Sequence, residues 1–307
     1  MPGEVPEMRA VELFSGCGGM SLGFQNAGFE IVAAYEYWDA AVECYSANFR
    51  HPVRKADLSD MASAIPAIAS DRPDAIIGGP PCQDFSSAGK RVESDRASLT
   101  VCYARIVDAV RPRLFVMENV ARSLRSGAYG EAREIFKGAG YGLTEAVLDA
   151  SLCGVPQSRK RLICVGALGE ADGFMAEGLR RGLAERPLTL REHSGGSLGF
   201  EFYYRHPRNY SRRAIFSVDE PAPTMRGVNR PVPKGYRGNP GDACPPGDGV
   251  RPLTTLERAM VQTFPPSFVW TGSKTENEQM IGNAVPVKLA EHVARAVMGH
   301  FAPDPGS

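Results

Sequence analysis

The chain has 307 residues, 43% of them hydrophobic and 23% charged, with no formal net charge; this is enough for a full core in one large domain or two modest ones. No apolar run approaches the roughly 20 residues that span a bilayer, and the opening MPGEVPEMRAVELF lacks the basic-then-apolar order of a signal peptide, so a cytoplasmic location is expected. The seven cysteines are odd in number and form no CxxC pair, which argues against a disulfide framework or a metal site and for mostly buried, small apolar side chains.

In chain order, MRAVELF (8–14) reads as a short apolar strand closed by the turn SGCGG, and 18–27 as a helix ending near Gly28. EIVAAYE (30–36) is a second strand and DAAVECYSANF (39–49) a helix; a weaker third strand ends at Asp57. DAIIGG (74–79), RLFVMEN (113–119), LTEAVLDA (143–150) and RLICVGA (161–167) supply further strands, with helices at 97–111 and 130–139. Strands alternating with helices imply a parallel sheet covered on both faces. Glycine, proline and arginine then dominate 193–252, which reads as part of a small, loop-rich second domain. Amphipathic helices return at 253–264 and 285–301; the last shows Leu289, Val293, Ala296 and Val297 on one face and is expected to pack back on the first domain.

Charge is unevenly spread. Residues 1–150 carry 15 basic and 20 acidic side chains, residues 151–250 carry 15 and 10, and 203–237 carry eight and two. That last stretch interleaves its arginines with Tyr203, Tyr204, Tyr210, Phe216 and Tyr236, which suits phosphate and base contacts. Charge alone admits a solvated arginine-rich surface equally well.

Open α/β sheets bind ligands beyond the carboxyl ends of their strands. The glycine turn after strand one lets backbone approach a ligand, but it lacks the GxGxxG order and a phosphate-binding lysine. Glu36 at the end of strand two suits ribose hydroxyls, and Asp57 suits an adenine amine. Each carboxylate alone could be a solvated loop acid or helix cap; together they fit a nucleoside ligand without phosphate, S-adenosylmethionine. Strand four delivers Cys82 in GGPPCQDFSSAGK, and strand five delivers Glu118 in MENV. A thiolate is a nucleophile, and a buried carboxyl group can donate to a ring nitrogen. The pair fits attack on C6 of cytosine with Glu118 at N3, making C5 carbanion-like and able to take a methyl group.

These residues resemble the DNA (cytosine-5)-methyltransferases over nearly the whole chain. ELFSGCGGMSLGFQNAGF is similar to the family's cofactor loop, GGPPCQDFSSAGK to its catalytic loop, MENV to its glutamate motif and QSRKRLICVG to its double-arginine motif. EPAPTMRG, LTTLERAMVQTFP and QMIGNAVPVKLA resemble the segments that follow. The resemblance implies a Rossmann-like class I methyltransferase sheet flanked by helices, formed by 1–167 plus 276–307, and a target-recognition domain over 168–275. It implies Cys82, Glu118, Arg159 and Arg161 as catalytic residues. Phe14, Ser15, Gly16, Gly18, Gly19, Glu36, Tyr37, Asp57, Leu58, Pro81, Leu99, Asn283 and Ala284 would line the site for S-adenosylmethionine, or S-adenosylhomocysteine as product. Tyr37 stands where relatives often have tryptophan, beside Trp38, so either ring could meet adenine; Glu12 replaces a frequent aspartate.

The partner implied is double-stranded DNA, whose target cytosine must be flipped out of the duplex. Gln83, Ser86, Ser87, Lys90, Arg91 and Arg96 of the catalytic loop, and Arg205, Arg208, Arg212, Arg213, Arg226 and Arg230 beyond it, are the candidate DNA contacts. No metal or membrane partner is expected, and the chain is read as a monomer. The alternatives are methylation of tRNA, whose branch usually carries a Cys-Phe-Thr stretch not found here, a non-catalytic DNA-binding relative, and, more distantly, a Rossmann dehydrogenase.

Overall fold

The computed structural model describes residues 8–81, 98–209, 211–247 and 249–301. Cys82, Gln83, Ser86, Ser87, Lys90, Arg91, Arg96 and Tyr210 therefore lie outside the described residues. The first half runs β1 (Arg9–Leu13), α1 (Gly19–Asn26), β2 (Glu30–Glu36), α2 (Asp39–Asn48), β3 (Val53–Lys55), α3 (Met61–Ser70), β4 (Ala75–Gly78), α4 (Leu99–Val110), β5 (Leu114–Val120), α5 (Gly127–Gly138), β6 (Tyr141–Asp149), β7 (Gln157–Ser158) and β8 (Lys160–Leu168). Seven strands make one sheet in the order β3-β2-β1-β4-β5-β8-β6. Strand order reverses beside β1 and β4, where such sheets open a ligand crevice.

The sheet departs from the expected all-parallel pattern at one strand: β8 runs antiparallel to both β5 and β6. The link from Asp149 to Lys160 holds a single 3-10 turn at Ala150–Leu152 and β7 but no crossover α-helix, whereas a parallel neighbour needs a crossover of a dozen or more residues. The third strand also ends earlier than expected, at Lys55, leaving Asp57 in the following turn with its carboxylate accepting from Ser59 N–H at 2.9 Å.

Period-two alternation sorts the sheet between two cores. Along β1, Ala10 joins the core beneath α1 and the C-terminal helix, whereas Val11 and Leu13 join the core beneath α3, α4 and α5. Five of the cysteines, at 17, 44, 102, 153 and 164, are buried as small apolar side chains.

Further along come α6 (Ala176–Arg180), α7 (Leu190–Ser194), β9 (Phe202–Tyr204), β10 (Ile215–Ser217), β11 (Ala222–Pro223), β12 (Arg251–Pro252), α8 (Thr255–Val261), α9 (Lys274–Asn283) and α10 (Val287–Phe301). The loop-rich stretch holds a small sheet, β10-β9-β12, and β11 pairs with β7 in parallel. Its aromatics serve first as core: Tyr203 and Tyr204 are at most 1% exposed and Phe216 5%. Among the described residues no helix is long and apolar enough to cross a membrane.

The C-terminal helix α10 packs back on α1, with Leu289, Ala290, Val293, Ala294 and Val297 meeting Met20 and Phe24. Gly23 permits this approach, because a Cβ there would lie 2.5 Å from the Ala290 Cβ and 2.6 Å from the Val287 carbonyl oxygen. Gly23→Ala is expected to lower stability by about 1–3 kcal/mol through overpacking, measured by thermal denaturation; an unchanged midpoint would show that the two helices separate freely.

Candidate active site

The turn after β1 is built by backbone conformation. Phe14, Gly16 and Gly18 all take positive φ (57°, 53° and 93°), which folds the chain back beneath the start of α1. Phe14 is the exception worth noting, since a bulky residue rarely adopts this region. Glu36 holds the turn from β2: Oε2 accepts Gly16 N–H at 2.8 Å, while Oε1 accepts the N–H groups of Tyr37 and Trp38, each at 2.9 Å. Gly19 presses on the α9–α10 connection so closely that a Cβ would sit 2.3 Å from the Val285 carbonyl oxygen. The structure thus brings ELFSGCGG and GNAVP together from opposite ends of the chain.

Around this turn the expected residues differ in what they offer. The Tyr37 ring is 67% exposed, whereas Trp38 packs against the core formed by α2, α8 and α9. Asp57 and Pro81 are exposed, Leu99 is half-buried at the first residue of α4, and Leu58 is buried in the core. Ser15 Oγ is buried without a hydrogen-bond partner among the described residues. An orphaned hydroxyl normally marks a missing partner. Together with the exposed ring and the Asp57 carboxylate, it suits a ligand with both a flat heterocycle and polar groups. Asn283 is exposed at the end of α9, and Ala284 follows with its carbonyl turned inward.

Beside it, β4 and β5 end together. Asn119 Nδ2 donates to the Pro80 carbonyl at 3.2 Å, tying the segment that leads to Cys82 to the MENV strand. Glu118 lies next to Gly79, where a Cβ would stand 3.2 Å from Glu118 Oε2. Across the β5–β8 ladder, Arg161 Nε lies 2.8 Å from Glu118 Oε1, with both side chains close to 10% exposed. Among the described residues Oε1 makes no well-aligned hydrogen bond, so the contact with Arg161 is Coulombic more than directed.

Arg159 is buried, and its guanidinium is occupied by backbone carbonyls: Met225 at 3.2 Å, Gly282 at 3.3 Å and Ala284 at 3.1 Å. Burial holds its pKa down to about 9, Arg161 pushes the same way and Glu118 opposes. Sequence reasoning passed over two glutamines that complete this hub. Gln157 accepts Met225 N–H at 2.8 Å and donates to Gln262 at 2.7 Å, and Gln262 in turn donates to the carbonyls of Ile281 and Ala284. Gln157 opens the double-arginine motif QSRKR, and the signal for Gln262 was a polar residue set among apolar ones in MVQTF. Gly282 meets Gly227 so closely that a Cβ would fall 2.2 Å from the Gly227 nitrogen.

The arginines of 203–237 separate into two groups. Arg213 is committed internally, forked onto Glu220 at 3.1 and 2.5 Å with its guanidinium 4.2 Å from the Phe216 ring centre. Arg208, Arg212 and Arg230 are exposed. Arg205 donates to the Thr224 carbonyl at 2.7 Å and Arg226 to that of His206. Arg205 is depressed to about 10, first by burial and then by Arg226, Arg258 and Arg208. Burial also lowers His206, with Arg230 and Arg226 adding to it. This is a cation-dense surface in which neighbours weaken one another. Among the described residues no three His, Cys, Asp or Glu side chains cluster as a metal site.

A mostly parallel sheet with a glycine turn at its first strand end, and a buried carboxylate–guanidinium pair beside it, defines a Rossmann-like methyltransferase core. The model of the C-5 cytosine-specific DNA methylases matches residues 8–191 and 189–299, and the chain belongs to that family. It is similar to the type II methyltransferase M.HindV of Haemophilus influenzae, 55% identical over 303 residues that cover 97% of this chain and 98% of the relative. It is similar also to the type II methyltransferase M.HgiDI of Herpetosiphon aurantiacus, 52% identical over 297 residues that cover 96% and 95%. The S. pombe Dnmt2 methyltransferase shares the fold at a TM-score of 0.71 and 19% identity, covering 95% of this chain and 98% of that one. The chain is a DNA cytosine-5 methyltransferase.

Proposed function

We propose that this methyltransferase moves the methyl group of S-adenosylmethionine to C5 of a cytosine flipped out of a specific duplex sequence. It would act as the modification partner of a type II restriction system, as the names of its relatives suggest, or as a solitary methylase. The observation that carries the reading is the junction of β4 and β5, where Asn119 pins Pro80 and Glu118 stands against Gly79. Two residues past Pro80 in the sequence, Cys82 adds to C6 of the ring. Glu118 Oε2, on the Gly79 side and away from Arg161, meets N3 and holds a proton there as C5 becomes nucleophilic. After methyl transfer, water takes the C5 proton, and the electron pair of that C–H bond re-forms the C5–C6 double bond and expels Cys82 as thiolate. Arg161 orients Glu118, and Arg159 orients the segments that carry Met225 and Ala284.

The cofactor supplies an electrophilic methyl group. Phe14, Ser15, Gly16, Gly18 and Gly19 form its cradle, with Leu58, Pro81, Leu99, Asn283 and Ala284 around them. Glu36 takes the ribose, Asp57 the adenine amine, and Tyr37 the adenine face, because its ring is exposed while Trp38 is packed away. Residues 168 to about 275 face the DNA. Arg205, Arg208, Arg212, Arg226 and Arg230 are its contacts there, and Gln83, Ser86, Ser87, Lys90, Arg91 and Arg96 contribute from the catalytic loop. Arg213 shapes this surface from behind through Glu220.

Duplex DNA carrying 5-fluorocytosine tests the reading. The fluorine cannot leave as a proton does, so a denaturation-resistant protein–DNA adduct should accumulate only when S-adenosylmethionine is present. Labelled methyl groups entering tRNA instead of duplex DNA would overturn the substrate assignment.

A further inference from the structure

Glu12 is almost fully buried on β1, and its carboxylate is the acceptor for the start of α1. Oε2 takes Ser21 N–H at 3.0 Å and also the Ser21 hydroxyl. The α1 N-cap is Gly18, which has no side chain to satisfy the open N–H groups of the first turn, so a strand carboxylate does it instead. The bonds continue outward. Tyr45 O–H donates to Ser21 Oγ at 2.6 Å, and Tyr45 OH lies 2.7 Å from His51 Nε2. With the serine proton on Glu12 and the tyrosine proton on Ser21, the remaining donor is a neutral His51 protonated at Nε2. Burial favours that form by holding the His51 pKa down to about 4.

This chain touches the glycine turn directly. A Cβ on Gly18 would stand 2.3 Å from the Phe49 ring and 2.9 Å from the Tyr45 ring, so the turn rests on the aromatic pair that carries the relay. The two rings are stacked, with centres 4.2 Å apart. The turn is therefore gripped from two sides, by Glu36 at Gly16 and by the Glu12–Ser21–Tyr45–His51 chain behind Gly18.

We propose that Glu12, Ser21, Tyr45 and His51 are positioning residues for the glycine turn, so that the hold on its nucleoside ligand depends on the protonation of Glu12, which itself does not touch that ligand. The proposal rests on the reading of this turn as the S-adenosylmethionine site. Glu36 from β2, Cys17 from the turn, Ser21 from α1 and Tyr45 from α2 face Glu12, with His51 beyond Tyr45. Packed on α1, α10 adds Glu291, paired with Lys288 and Arg295. Among the described residues none of these groups next to Glu12 is a cation. Burial pushes the Glu12 pKa up to about 8, Glu36 adds to the rise and the Ser21 bonds oppose it. An ionised Glu12, buried beside Glu36, disturbs the packing behind Gly18, so the turn holds its ligand best while Glu12 is protonated, and binding raises that value further. Above about pH 8 the free protein has lost the proton and binding must take one up, so affinity falls with rising pH, by at most tenfold per pH unit.

Calorimetric titration with S-adenosylhomocysteine between pH 6.5 and 9.5 tests this. Wild type should bind at pH 7 and weaken progressively above pH 8, whereas Glu12→Gln, which mimics the protonated group, should give a flat profile. Tyr45→Phe removes one oxygen from the relay and should raise the KM for S-adenosylmethionine about five- to tenfold while kcat at saturation is maintained. A flat wild-type profile, or Tyr45→Phe with an unchanged KM, would overturn the relay. Wild type that binds no S-adenosylhomocysteine at any pH would overturn the reading of the turn itself.

Discussion

Cys82→Ser should reduce methyl transfer to duplex DNA by roughly 10⁴-fold or more, because a few per cent of a free thiol is thiolate at neutral pH whereas a serine hydroxyl is almost wholly protonated. S-adenosylhomocysteine should bind the variant as it binds wild type, since the turn after β1 is held by Glu36, Glu12 and Val285. The measurement is single-turnover transfer of labelled methyl groups at saturating DNA and cofactor, beside a binding titration. The adduct with 5-fluorocytosine DNA should vanish as well. Turnover near the wild-type level would mean that C6 is attacked by another group, and a loss of cofactor binding would mean that the substitution damaged more than the nucleophile.

The parts of the fold that could be read from sequence are those whose signal spans many residues. The seven-residue apolar runs of β2 and β5 and the period-3.6 face of the fifteen-residue α10 appear where expected. The strands missed in 193–252 are two or three residues long, too short to show a period, and they take their buried faces from tyrosines that also fit a DNA-contacting surface. The reversal of β8 was open to inference, since two strand patterns follow each other without a helix between them.

Site residues divide in the same way. Glu118 and Arg161 were legible by motif, but their partnership depends on the β5–β8 ladder, which sets Glu118 opposite Ile163 and Val120 opposite Arg161. Arg213 and Arg208 look alike in sequence; what separates them is Glu220, seven residues along, folded back across β10. No local spacing rule identifies such a pair. The Gln157–Gln262 contact joins residues 105 positions apart and is visible only once β11 has paired with β7.

Glu118→Gln is expected to slow transfer by about 10²–10⁴-fold, the usual worth of a positioned proton donor or acceptor. The substitution keeps the shape of the side chain and its place against Gly79, so a flipped ring would find the same pocket wall. It changes two things. The amide has no carboxyl proton to place on N3 and no negative charge to hold that proton as C5 becomes nucleophilic. It also leaves the Arg161 guanidinium facing a neutral group where the pair is mostly buried, which should lower stability by up to about 3 kcal/mol. Melting curves and S-adenosylhomocysteine binding measure the second effect, and single-turnover rates well below the melting transition isolate the first. Adduct formation with 5-fluorocytosine DNA should slow with the same factor, because attack on C6 and proton placement at N3 belong to one step. A variant that destabilises the protein yet transfers methyl groups within tenfold of wild type would reduce Glu118 to a partner for Arg161 and require a different group at N3.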